Sequence, residues 1–146
     1  MNTDYTNLSA YPVKSDTKCI KTVFVAGRGD YGNWRSTIKR LLTDNVVIAE
    51  SSGRGLVNAQ HDAFEKEHAD AIVFVITPSA LSTFDLANAV NESNKRPEKT
   101  IVCFLSAGNE WMHDPRRYAE LSEIRAILES NGARCLNSLS ELADII

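Results

Sequence analysis

The run Ala71–Thr77, AIVFVIT, constrains the fold more than any other stretch of this chain. Every residue in it is apolar or β-branched, and Pro78 follows at once. No inward-outward alternation is present, so both faces of this strand must be covered. That is the condition of a parallel sheet lying between helices. Shorter runs of the same kind recur at Thr22–Ala26 (TVFVA), Val46–Ala49 and Thr100–Leu105 (TIVCFL), with a short semi-apolar stretch at Ala133–Leu136.

Between the runs the apolar period changes to that of a helix. Trp34, Ile38, Leu41 and Leu42 share one face of a segment spanning 33–43. Leu56, Ala59, Ala63 and Phe64 do so over 56–68, and Leu86, Ala89 and Val90 over 83–94. Tyr118, Leu121, Ile124 and Leu128 line a helix over 117–131, which Gly132 is placed to end in the left-handed conformation. A closing helix is expected over 138–145, with Ser138 or Ser140 as its cap. The order is β-α repeated five times. Right-handed crossovers then give a doubly wound, three-layer α/β sandwich. Five strands favour the flavodoxin-like, Rossmann-like order 2-1-3-4-5, with ligands at the carboxyl ends of the strands near the switch between the first and third. Function is therefore expected in the loops at 27–33, 50–56, 77–85 and 105–115.

The chain of 146 residues has the size of one domain. Residues 1–18 are polar and aperiodic and read as a flexible N-terminal arm, leaving 19–146 as a single α/β domain. Sixteen basic against nineteen acidic residues give a net charge of −3, which argues against a nucleic acid polymer as partner. No apolar run approaches a membrane span, and the N-terminus has no hydrophobic signal core, so a cytoplasmic protein is expected. Cys19, Cys103 and Cys135 are scattered, and Cys103 and Cys135 read as core residues. His61 and His68 are seven apart without a third ligand, so no metal site is expected.

Three constellations carry chemistry. The first loop, Gly27-Arg28-Gly29-Asp30-Tyr31-Gly32, is a G-x-G-x-x-G between a strand and a helix, and Glu50 closes the second strand. A dinucleotide fold puts a phosphate loop and a ribose acid in those places. Bulky Trp34 and Arg35 in the first helical turn, and a chain short for a separate substrate domain, weigh against that reading. Arg28 on this loop is placed to pair with a phosphate or carboxylate. The second constellation is Ser82-Thr83-Phe84-Asp85, just past the strongest strand. It fits a capping box, and it also fits an ionised carboxylate held at a helix N-terminus. The third, Gln60-His61-Asp62 with Glu65, Lys66 and Glu67, reads as a solvated acidic face unless Asp62 points at the site of Asp85. Trp111, Met112 and His113 follow the fourth strand, where they could roof a base.

Several stretches in order resemble the nucleoside 2-deoxyribosyltransferase-like superfamily, which includes the 2′-deoxynucleoside 5′-phosphate N-hydrolases. They are Val25-Ala26-Gly27, Trp34-Arg35, the acidic helix running into Ala69-Asp70-Ala71-Ile72-Val73-Phe74, Phe84-Asp85-Leu86-Ala87-Asn88-Ala89-Val90, and the tail from Gly132 to Leu142. The resemblance spans about residues 22–146. It implies that Asp85 is a carboxylate nucleophile at C1′ of a deoxyribose and that Asp62 is the second acid. Gly27, Arg28, Gly29, Asp30, Tyr31, Trp34, Pro78, Ser79 and Ser82 would then hold the substrate. The implied partner is a small nucleoside or its 5′-monophosphate. No cofactor is implied, and the resemblance allows a homo-oligomer whose sites are completed across subunits. Asp85 stands where the family has Glu, Ala87 where it has Gly, and Phe24 where some members have Tyr. Two alternatives stay open: a non-catalytic nucleotide-binding or sensor module on the same fold, and a small NAD(P)-binding protein.

Overall fold

The computed structural model describes residues 21–29, 31–42, 46–51, 56–77, 82–105 and 114–146. Five parallel strands form one sheet in the order β2-β1-β3-β4-β5. They are β1 (Lys21–Gly27), β2 (Val46–Glu50), β3 (Ala71–Ile76), β4 (Thr100–Phe104) and β5 (Arg134–Leu136). The helices are α1 (Trp34–Leu41), α2 (Leu56–His68), α3 (Thr83–Lys95), α4 (Pro115–Asn131) and α5 (Leu139–Ile145). Short 3-10 turns, Tyr31–Asn33 and Pro97–Lys99, precede α1 and β4. Architecture and strand order are those expected from the alternating runs.

β3 is buried along its whole length because β1 and β4 pair with it on either side and helices cover both its faces. The strand period of two divides the core into two layers. Val23, Val25, Val73, Val75 and Cys103 face Trp34, Ile38 and Leu42 on one side, together with Leu139 and Leu142 of α5. Phe24, Ala26, Ile72, Phe74 and Val102 face Leu86 and Ala89 of α3 and Leu121 and Leu128 of α4 on the other. No helix among the described residues is long and apolar enough to cross a membrane.

Local chemistry sets the helix ends. Ser82 caps α3, Ser138 caps α5, and Asp114 caps α4 with Pro115 at its first position. Proline suits that position because its missing N–H would find no partner there. This cap starts α4 two residues before the apolar period does. Gly132 ends α4 at φ 104°, in the left-handed region. Lys99 donates to the carbonyls of Glu67 and Ala69, closing the C-terminal end of α2.

Helix α2 departs from its expected packing. Ala59 and Ala63 are exposed, and Phe64 is 58% exposed and stacks on His68. The polar stripe turns inward instead: the Asp62 and Lys66 side chains are only 14% and 13% exposed. The solvated-face reading of this helix is corrected for these two residues. The physical reason is a cavity between α2 and the sheet, where polar side chains keep room for solvent or a ligand.

Candidate functional site

That cavity measures about 610 Å³. Its floor is Phe24 and Ala26 of β1 and Phe74 of β3. One wall is Ala59, Asp62 and Lys66 from α2, and the opposite wall is Phe84, Asp85 and Asn88 from α3. Ser51, directly after β2, stands at its edge. The volume lies within the range of about 300–1,000 Å³ usual for small-molecule sites. It flanks the switch point, because the crossovers from β1 and β3 leave to opposite faces of the sheet.

Asp85 is the most buried acid of the cavity, at 6% exposure. Its backbone N–H donates to Ser82 Oγ at 3.3 Å, so Ser82 does cap the helix. The Asp85 carboxylate does not complete the reciprocal half of a capping box. Its partner is Arg28, whose Nε lies 3.5 Å from Asp85 Oδ2. Burial pushes the Asp85 carboxyl above the usual carboxylate range, and the charge and hydrogen bond of Arg28 pull only part of the way back. The helix terminus alone leads one to expect a lowered value. Desolvation overrides it, because removing water penalises the charged form.

Asp62 accepts a hydrogen bond from Ser51 Oγ at 2.7 Å. His61 Nδ1 lies 3.7 Å from Asp62 Oδ1, and His61 Nε2 lies 3.5 Å from Glu65 Oε1. The inner end of the cavity is closed by charges. Lys66 Nζ lies 3.2 Å from Glu92 Oε2, and Arg96 Nη1 lies 2.6 Å from Glu92 Oε1. Glu92 is 2% exposed, so this cluster ties α2 to α3 out of water.

The first loop is braced by its own helix. Trp34 Nε1 donates to the Gly29 carbonyl at 3.0 Å, and Arg35 donates to the carbonyls of Gly27 and Gly29. The Arg35 guanidinium also stacks 4.1 Å above the Trp34 ring and lies 3.5 Å from Glu50 Oε1. Gly27 is required by close approach, since a Cβ there would stand 2.8 Å from Trp34 Cζ2 and 2.9 Å from the Val75 carbonyl oxygen.

The sequence-derived residues thus separate into groups. Asp62 and Asp85 come together on one cavity, and Arg28 joins them through Asp85. Two of the expected substrate residues stand apart from that cavity. Trp34 is 1% exposed and packs in the core layer on the opposite face of the sheet, because its indole fills the space that Gly27 leaves. Ser82 uses its hydroxyl as a cap and is not among the cavity's lining residues. Gly27 and Gly29 offer carbonyls to α1 rather than to the cavity. Tyr31 begins the 3-10 turn before α1. Asp30, Pro78 and Ser79 lie outside the described residues, as do Cys19 and the stretch Trp111–His113. Lys66, Asn88 and Ser51 line the cavity without having stood out in the sequence. The signal for the first two was available in helical spacing, since Lys66 is four residues after Asp62 and Asn88 three after Asp85.

Burial pushes the Cys103 thiol up to about 12 and the Cys135 thiol up to about 11, which removes both as nucleophiles near neutral pH. Among the described residues no group of three or more His, Cys, Asp or Glu side chains could hold a metal ion.

No family model matches this sequence, and no curated protein shows significant similarity to it.

Proposed function

We propose that the protein cleaves or exchanges the N-glycosidic bond of a deoxynucleoside or its 5′-monophosphate, with Asp85 as nucleophile. The observation that carries this reading is the convergence of Asp62 and Asp85, from two different helices, on one cavity with an aromatic floor. Two carboxylates flanking a scissile glycosidic bond are the working parts of a retaining glycosidase. An Asp85 oxygen attacks C1′ as the bond to the base breaks and its electron pair leaves with the base. Water or a second base then takes C1′ and releases the carboxylate. A carboxylate stripped of water is a stronger nucleophile once ionised, and the Arg28 charge favours the ionised form. Asp62, oriented by Ser51, binds a sugar hydroxyl or hands a proton to the leaving base. Beyond the Nε that faces Asp85, the Arg28 guanidinium carries further N–H donors suited to a 5′-hydroxyl or 5′-phosphate.

The test is chromatographic. The protein is incubated with each deoxynucleoside and each 5′-monophosphate, with and without a second base. Release or exchange of base, abolished in Asp85→Ala, supports the reading. No turnover of any of them, or unchanged turnover in Asp85→Ala, overturns it.

The ion pair between Arg28 and Asp85 favours a second reading, a nucleotide-binding or sensor module without catalysis, because it occupies the nucleophile. That reading expects thermal stabilisation by a nucleotide without product. The NAD(P) alternative is the weakest of the three. Arg35 engages Glu50, the acid that would take the ribose, and Trp34 and Arg35 draw the loop carbonyls toward α1.

A further inference from the structure

The far end of the cavity from Arg28 is cationic, and its charges are built in. On α2, Lys66 is one helical turn beyond Asp62, and on α3, Asn88 is one turn beyond Asp85. All four residues line the cavity. Glu92, a further turn along α3, holds Lys66 and Arg96 together while itself 2% exposed. One carboxylate against two cations leaves this buried cluster with a net positive charge. The Lys66 ammonium has three donors, and among the described residues Glu92 is its partner. The Asn88 carboxamide has no hydrogen-bond partner among the described residues. The aromatic floor, Phe24 and Phe74, runs beneath both.

We infer that this end of the cavity, through Lys66 and Asn88, selects a purine base with a 6-oxo group over one with a 6-amino group. The inference rests on the reading of the site as an N-glycosidic one. With C1′ at Asp85 and the 5′ end at Arg28, the base lies over Phe24 and Phe74 and directs its far edge at Lys66. An ammonium donates and never accepts. It therefore satisfies a carbonyl oxygen at C6, whereas an exocyclic amine there presents two donors to it. The Asn88 side-chain oxygen accepts from the N1–H, which a 6-oxo purine carries and a 6-amino purine lacks. Glu92 and Arg96 are positioning residues, since Glu92 holds the Lys66 ammonium and Arg96 holds Glu92.

The experiment compares kcat/KM for 2′-deoxyinosine against 2′-deoxyadenosine, and for their 5′-monophosphates, in the native protein, Lys66→Met and Asn88→Ala. A bond from a charged donor predicts a native preference of about tenfold or more for the oxo base. In Lys66→Met the ratio falls to near one, and in Asn88→Ala it falls part of the way. The ratio is decisive, because a merely structural loss lowers both rates and leaves it unchanged. If Lys66→Met does not fold, Asn88→Ala carries the test. Equal rates, preference for the amino base, turnover confined to pyrimidines, or an undiminished ratio in the folded variants overturns the inference and leaves the N-glycosidic reading standing. Absence of turnover on every deoxynucleoside and monophosphate overturns that reading and this one with it.

Discussion

Arg28 Nε lies 3.5 Å from Asp85 Oδ2, linking the loop after β1 to the first turn of α3. The pair opposes the burial that raises the Asp85 carboxyl, so it sets where this acid ionises. A nucleophilic carboxylate acts only when ionised, and the acid limb of the rate profile reports that ionisation. Arg28→Ala removes the lowering influence and leaves the raising one. The limb in kcat against pH is expected to move to higher pH in Arg28→Ala, and less so in Arg28→Lys. An unmoved limb would separate the pair from the chemistry.

The same burial carries a stability cost. A carboxyl whose folded-state pKa is raised contributes stability below its unfolded pKa, and loses it as pH rises through the folded one. The native protein therefore gives up stability from about pH 4 upward at this residue. Asp85→Asn keeps the shape and has no proton to lose. Its melting temperature is expected to exceed the native value at pH 7 by a few degrees, with the gap closing toward pH 4. Calorimetric scans across that range check this, alongside loss of turnover.

Gly27→Ala tests the brace under the first loop. The added methyl meets Trp34 and the backbone of β3 at distances that real contacts do not reach. Overpacking of this kind costs about 1–3 kcal/mol. Urea unfolding should report that loss with an unchanged slope.

Glu92→Ala leaves Lys66 and Arg96 facing one another without their shared acid. Removing one member of a buried ion cluster costs about 3–5 kcal/mol when all members are desolvated. Both cations retain some exposure, so a loss of about 2–3 kcal/mol is expected, within the usual range for disruptive single changes. Glu92→Gln, which keeps an acceptor oxygen for one cation and sets its amide nitrogen against the other, should lose somewhat less.

The elements were legible because their causes are local. AIVFVIT reads as a strand covered on both faces, Gly132 can take the φ of 104° that stops α4, and Ser138 caps the helix that follows it. The site was legible in part. Asp85 and Asp62 stood out by residue type and position, but whether they met depended on the rotation of α2 about its axis. The apolar residues Ala59, Ala63 and Phe64 suggested one inward face. The helix turns Ala63 and Phe64 outward and sets Asp62 and Lys66 beside Ala59 on the cavity, out of solvent.

The sequence by itself determined the five β-α units and their order in the sheet, because hydrophobic period and crossover handedness act along a continuous chain. Only the tertiary structure decided that Trp34 belongs to the core, that Asp62, Asp85 and Lys66 line one cavity, and that Arg28 pairs with Asp85. These groups are far apart along the chain, and their spacing is set by helix packing on the sheet. The charge on Asp85 is decided there too, since the balance between lost water and a nearby guanidinium depends on burial and distance.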